Sequence, residues 1–135
     1  MTESTFRAVL FAIAAGHAVL GLLALFAPGT FFDEIGRYGP ENGHYVGDVG
    51  AFYIAAAFGV GVAAIRPRWR VPILLVGAVW YGVHALNHLF DIGEARSDAR
   101  GWADTILLAL GAGGSVWLAG VAARLERGEG AHPPV

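Results

Sequence analysis

The sequence contains no cysteine and no lysine, and little charge of either sign. Without cysteine there is no disulfide framework, no thiolate metal site and no thiol redox centre. All nine basic residues are arginine, a bias to which we attach no mechanistic content. Charged residues make up 15% of the chain, against about 25% in soluble domains. A soluble domain needs a polar surface, and this chain has too few charges to cover one. Its net charge of −2 offers no attraction to nucleic acid. The 135 residues are enough for one domain and no more.

What the chain has instead is apolar residues, 56% of the total, in four long runs over residues 6–27, 45–65, 71–90 and 102–123. Each approaches the ~20 residues needed to cross a bilayer, and none carries Arg or Glu in its interior. Breakers punctuate the gaps: Pro28-Gly29, Gly39-Pro40, Pro67 and Gly93. Many of the 20 glycines fall inside the runs, where small residues let membrane helices approach closely. The first run is too long for the apolar region of a signal peptide and follows no basic start, so it reads as a helix of the mature protein. The predicted fold class is all-α: an integral membrane up-down bundle of four helices forming one domain over residues 1–125, with a disordered tail over 126–135.

Arginine placement predicts the direction. One side of such a bundle holds Arg7, Arg66, Arg68, Arg70, Arg124 and Arg127; the other holds only Arg37, Arg96 and Arg100. The positive-inside rule therefore puts both termini in the cytoplasm of a multi-pass cell-membrane protein. The loops 28–44 and 91–101 then face outward, and eight of the eleven acidic residues lie in or beside them. Trp69 and Trp102 suit the two interfaces. Short internal echoes suggest two related hairpins: Gly16-His17-Ala18-Val19 with Val83-His84-Ala85-Leu86, and Phe32-Asp33-Glu34-Ile35-Gly36 with Phe90-Asp91-Ile92-Gly93-Glu94.

Ionisable residues inside membrane spans are costly and mark functional sites. In the third run His84, His88 and Asp91 share one helical stripe, with Gly77, Trp80, Tyr81 and Asn87 on or beside it. The second run begins with His44 and Asp48, one turn apart, and Gly47, Ala51 and Ala55 continue that face. The fourth begins near Asp104, with Gly111 and Ser115 below it. The first offers His17 near mid-depth. Tyr53 lies off the stripe and reads as packing or lipid-facing. The expectation is an outward-opening funnel with a histidine floor.

Several chemistries fit such a funnel. Imidazole and carboxylate suit a transition metal such as zinc, iron or copper, and bundles hold metals between facing helices. His44, Asp48, His88 and Asp91 are the expected ligands, with Asn87 and Asp104 behind them. His17 and His84, at similar depths, are placed to ligate haem b in an electron carrier, though the metal reading is preferred. A His/Asp pair acting as general base on a lipid-like or quinone substrate is a third option, with no reaction type fixed. A non-catalytic accessory or lipid-binding subunit of a larger membrane complex, or a homo-oligomer, is the competing class. Each His or Asp alone also serves as an interhelical hydrogen bond.

Gly47-Asp48-Val49-Gly50-Ala51-Phe52-Tyr53, Arg66-Pro67-Arg68-Trp69-Arg70 and His84-Ala85-Leu86-Asn87-His88-Leu89-Phe90-Asp91 together resemble a family of small four-span actinobacterial membrane proteins. More distantly the architecture is similar to DoxX-like proteins, some of which are linked to membrane oxidoreductase complexes. The resemblance implies the four-span fold and carries over no catalytic residue.

Overall fold

A computed structural model describes residues 1–128. Among them there are five α-helices: α1 (Glu3–Phe26), α2 (Pro28–Glu34), α3 (Gly43–Ile65), α4 (Arg70–Phe90) and α5 (Asp98–Glu126). Short 3₁₀ turns, Pro67–Trp69 and Ile92–Glu94, precede α4 and follow it. The four long helices, counting the Pro67–Trp69 turn with α4, are long and apolar enough to cross a membrane. Only 11–28% of the most apolar stretch of each is buried within the protein, so most of their apolar surface faces outward. Phe26, Phe58 and Phe90 are each more than 70% exposed. That exterior suits lipid and not water. Residues 129–135 of the expected tail lie outside the described residues; Glu126 closes α5 and Arg127 caps it.

Local chemistry sets the helix ends. Thr2, Asn42 and Ser97 each accept a backbone N–H in the first turn of α1, α3 and α5, satisfying donors that have no intrahelical partner. Pro28 occupies the first position of α2, where its missing N–H costs nothing. This short helix falls in a segment expected to be loop, and it buries Phe31 and Phe32 against Ala24 and Val46.

The long helices pair as two hairpins. α1 packs along α3 and α4 along α5, while α3 and α4 touch sparsely. The two Phe-Asp echoes both lie where a hairpin turns: one in α2 and its C-cap, the other at the end of α4 and the turn after it. At the end carrying the termini, all four long helices share a core of Phe6, Leu10, Val60, Ala63, Ala64, Leu74, Leu118, Ala119, Val121 and Ala122. At the opposite end the connecting loops join through an isolated bridge between Tyr38 and Ala95, and the Gly39 N–H donates to the Glu94 carbonyl at 3.3 Å. Gly39 has φ +59°, a left-handed conformation that glycine adopts without strain. This turn delivers Tyr38 to α4.

Two features lock the helix pairs. In the first hairpin Gly21 and Gly50 let two backbones meet. A Cβ on Gly21 would lie 2.8 Å from Ile54 and 3.0 Å from the Gly50 carbonyl; one on Gly50 would lie 3.1 Å from the Gly21 carbonyl. At the core end the Arg70 side chain is 2% exposed. Its guanidinium forks onto Glu3, with Nη1 2.9 Å from Oε2. Its Nε donates to the Ala63 carbonyl at 3.3 Å, and it lies 5.1 Å from the centroid of the Phe6 ring. One side chain thus binds the start of α1, the end of α3 and the start of α4.

Candidate functional site

The cleft between the two hairpins holds the polar residues of the interior. α4 supplies Trp80, Tyr81, His84 and His88 on one face, as the stripe predicted. His84 and His88, one turn apart, approach through their Nε2 atoms at 2.9 Å. His88 Nδ1 lies 2.8 Å from the Tyr38 hydroxyl. That hydroxyl donates to Asp104 Oδ2 at 3.3 Å, and Arg100 Nε donates to the same carboxylate at 3.1 Å. Trp80 packs edge-on against His84, with ring centroids 4.8 Å apart. The Tyr38 hydroxyl is pushed up to about 12, first by loss of water around it and then by the Asp104 carboxylate. It keeps its proton at pH 11, where an ordinary tyrosine has largely lost it. A difference titration of tyrosinate absorbance between the protein and Tyr38→Phe should show one phenol ionising late; a phenol ionising near pH 10 would contradict the burial.

Deeper in the bundle His17 is 9% exposed. Its Nδ1 lies 2.8 Å from the Ile13 carbonyl, an acceptor, so Nδ1 carries the proton. Nε2 is then an acceptor, and the Tyr81 hydroxyl, 2.9 Å away, donates to it. Tyr53 is partly buried, its ring 5.7 Å from His17 and 6.0 Å from Trp80. Gly111 makes room for Tyr81: a Cβ there would lie 3.0 Å from the ring.

His17 and Tyr81 form part of the wall of a cavity of about 250 Å³ between α3 and α4, closed behind by α1 and α5. Most of its wall is apolar, from Ile13, Ala56, Val60, Ile73 and Leu74 among others, and its polar groups come from His17, the Tyr81 hydroxyl, Ser115 and the indole N–H of Trp80. Phe52 and Val76 on its rim are 38% and 66% exposed, so the cavity opens sideways onto the apolar belt. A second, charged notch of about 30 Å³ lies at the loop end, between Asp33, Glu34, Arg37, Arg96, Arg100 and Asp104.

The expected metal ligands are not gathered. Among the described residues no three His, Asp or Glu side chains group as a metal ion would require. His44 and Asp48 lie 3.7 Å apart, with side chains 80% and 67% exposed. The reason is helical phase. Val46 and Gly50 are the buried positions of α3 at this end, and His44 and Asp48 lie two residues from them, about 200° round the helix. That face turns away from α1 instead of toward the bundle. Asp91 caps α4 and accepts from Asn87 at 3.1 Å, off the histidine pair. Of the two histidines expected to share a haem, His17 has both ring nitrogens engaged with Ile13 and Tyr81, and His84 turns its Nε2 to His88. Asp104 lies within the site, bonded to a tyrosine that the helical pattern did not single out.

Tyr38 is 50 residues from His88 in sequence, in a loop with no periodicity to mark it. Arg100 and Arg70 figured only as charges setting direction. Tyr81 stood on the stripe and His17 was singled out in the first run, but no sequence signal paired the two across helices. Comparison with protein-family models, with characterised proteins and with solved structures finds no match to this chain.

Proposed function

We propose that this chain is a multi-pass protein of the cell membrane, termini cytoplasmic, that binds a ring-bearing lipid with a hydroxyl head in the cavity between α3 and α4. The arginine asymmetry supports the direction. The cavity carries the function. An engineered 150 Å³ apolar cavity holds benzene, and drug-sized pockets begin near 300 Å³; about 250 Å³ suits a head of one or two rings. The sideways mouth suits a guest arriving from lipid.

Proton counting favours a hydroxyl over a carbonyl. Tyr81 gives its proton to His17, and Ser115 Oγ donates to the Gly111 carbonyl at 2.8 Å. Both oxygens keep only acceptor capacity toward the cavity. A hydroquinone, phenol or sterol-type hydroxyl can donate to these oxygens and also accept from the Trp80 indole N–H on the same wall; a quinone carbonyl can accept from Trp80 but leaves both oxygens without a donor.

The test uses 1-naphthol and 1,4-naphthoquinone in equilibrium dialysis against the protein in lipid nanodiscs. Naphthol should bind saturably and more tightly than the quinone. Ala56→Leu, which fills the cavity, should weaken naphthol by about tenfold or more, as loss of 1.4 kcal/mol would. Equal uptake of naphthol by the protein, by Ala56→Leu and by empty nanodiscs would sink the reading.

A further inference from the structure

The hydrogen bonds at the loop end run in one direction. Asp104, held by Arg100, accepts only. The single Tyr38 proton therefore goes to Asp104, so the Tyr38 oxygen accepts from His88 Nδ1–H. His88 Nε2 is then bare and accepts from His84 Nε2–H. Every donor in this file points from the bundle interior toward the loops. At its inner end His84 Nδ1 is left as an acceptor, and among the described residues it has no hydrogen-bond partner. At its outer end Asp104 lines the charged notch, large enough for a water molecule.

We propose that His84, His88, Tyr38 and Asp104 form a proton relay between the bundle interior and the loop end. A weak acid, such as a hydroxyl group or water, gives its proton to His84 Nδ1. The Nε2 proton of His84 passes to His88 Nε2, the Nδ1 proton of His88 to Tyr38, and the Tyr38 proton to Asp104, which releases it to water in the notch. One N–H or O–H bond forms for each that breaks, no electrons change hands, and one proton has moved. The same hops in reverse carry a proton back inward; a second passage in the outward direction requires both imidazole rings to flip and the Tyr38 hydroxyl to rotate first. Tyr38 suits the middle position because it holds its own proton firmly and hands it on only as another arrives. The other charged group nearby, Asp91, is bonded to Asn87 and lies outside the file. Trp80, packed on His84, brings no charge. The relay rests on these bonds and is independent of what the cavity binds.

A structural role alone would fasten the loops to α4 without moving protons, so the test reads exchange. In nanodiscs, with ¹⁵N-labelled histidine, nuclear magnetic resonance measures how fast each ring N–H exchanges with water. His84 should exchange faster than His17, whose N–H is bonded to Ile13 off the file. Tyr38→Phe removes one oxygen from the file and should slow His84 by about tenfold or more, equivalent to roughly 1.4 kcal/mol of barrier. Asp104→Asn, which still accepts from Tyr38 but cannot take its proton, should slow it likewise. Unchanged His17 signals establish that each variant is folded. A His84 rate that is unchanged or faster in these variants overturns the relay.

Discussion

Glu3→Ala should destabilise this protein more than any other single exposed-carboxylate change. It strips the partner from a guanidinium that is 2% exposed while leaving that charge in place. Removing one member of a buried pair typically costs about 3–5 kcal/mol. The cost here should fall toward the lower end, because Glu3 is itself 53% exposed and water can enter where it stood. Arg70→Ala should cost at least as much, by a different route. It also removes the aliphatic stem and the cation over Phe6. Arg70→Lys should not rescue it, since one ammonium cannot form the fork onto both carboxylate oxygens and still reach Ala63. The decisive comparison is Glu3→Ala with the double variant Glu3→Ala/Arg70→Met. Methionine keeps the stem and abolishes the stranded charge, so the double variant should be more stable than Glu3→Ala alone. Unfolding of each in detergent, followed by circular dichroism, measures this. A double variant as unstable as the sum of its parts would show that Arg70 acts through packing and not charge.

The second large effect is expected at the α1–α3 crossing. Gly50→Val places methyl groups where a Cβ alone would already lie 2.9 Å from Leu25 and 3.1 Å from both Ala24 and the Gly21 carbonyl. Carbonyl and helix backbone cannot swing aside as a flexible side chain can. The helices must separate, at the roughly 1–3 kcal/mol typical of overpacking, with further loss of the close backbone contacts that small residues permit. Gly16→Ala is the matched control, because a Cβ there meets nothing within 4 Å and alanine favours the helix. Thermal unfolding should separate the two clearly. Equal melting temperatures would mean that the crossing yields without cost.

The long helices are legible in the sequence because an uninterrupted apolar run of bilayer length has few other uses; their starts are less so, because the polar turns capped by Thr2, Asn42 and Ser97 lie outside the apolar runs. α2 is not legible: seven residues are too few to establish a period, and its helix depends on Phe31 and Phe32 finding a surface. In the site, helical phase places His84 and His88 together because that relation lies within one helix. It misplaces His44 and Asp48 because a helix's own polar stripe does not say which side its neighbour occupies. Val46 and Gly50 decide that, through a fit to α1 visible only when both helices are present. Tyr38 reaches the histidines through a turn at Gly39 and a bridge to Ala95, a relation between two loops that no single segment encodes.

The sideways mouth at Phe52 and Val76 changes what occupancy means for the cavity. Under the proposed function, a guest entering there would be drawn from the hydrocarbon phase, and its concentration in the bilayer would set how full the site is. A sparingly water-soluble molecule accumulates in that thin layer far above its aqueous level. A site that looks feeble when titrated from water would then be filled under ordinary conditions. The absence of a strongly polar grip on the guest is therefore compatible with use, since partitioning supplies what contact does not.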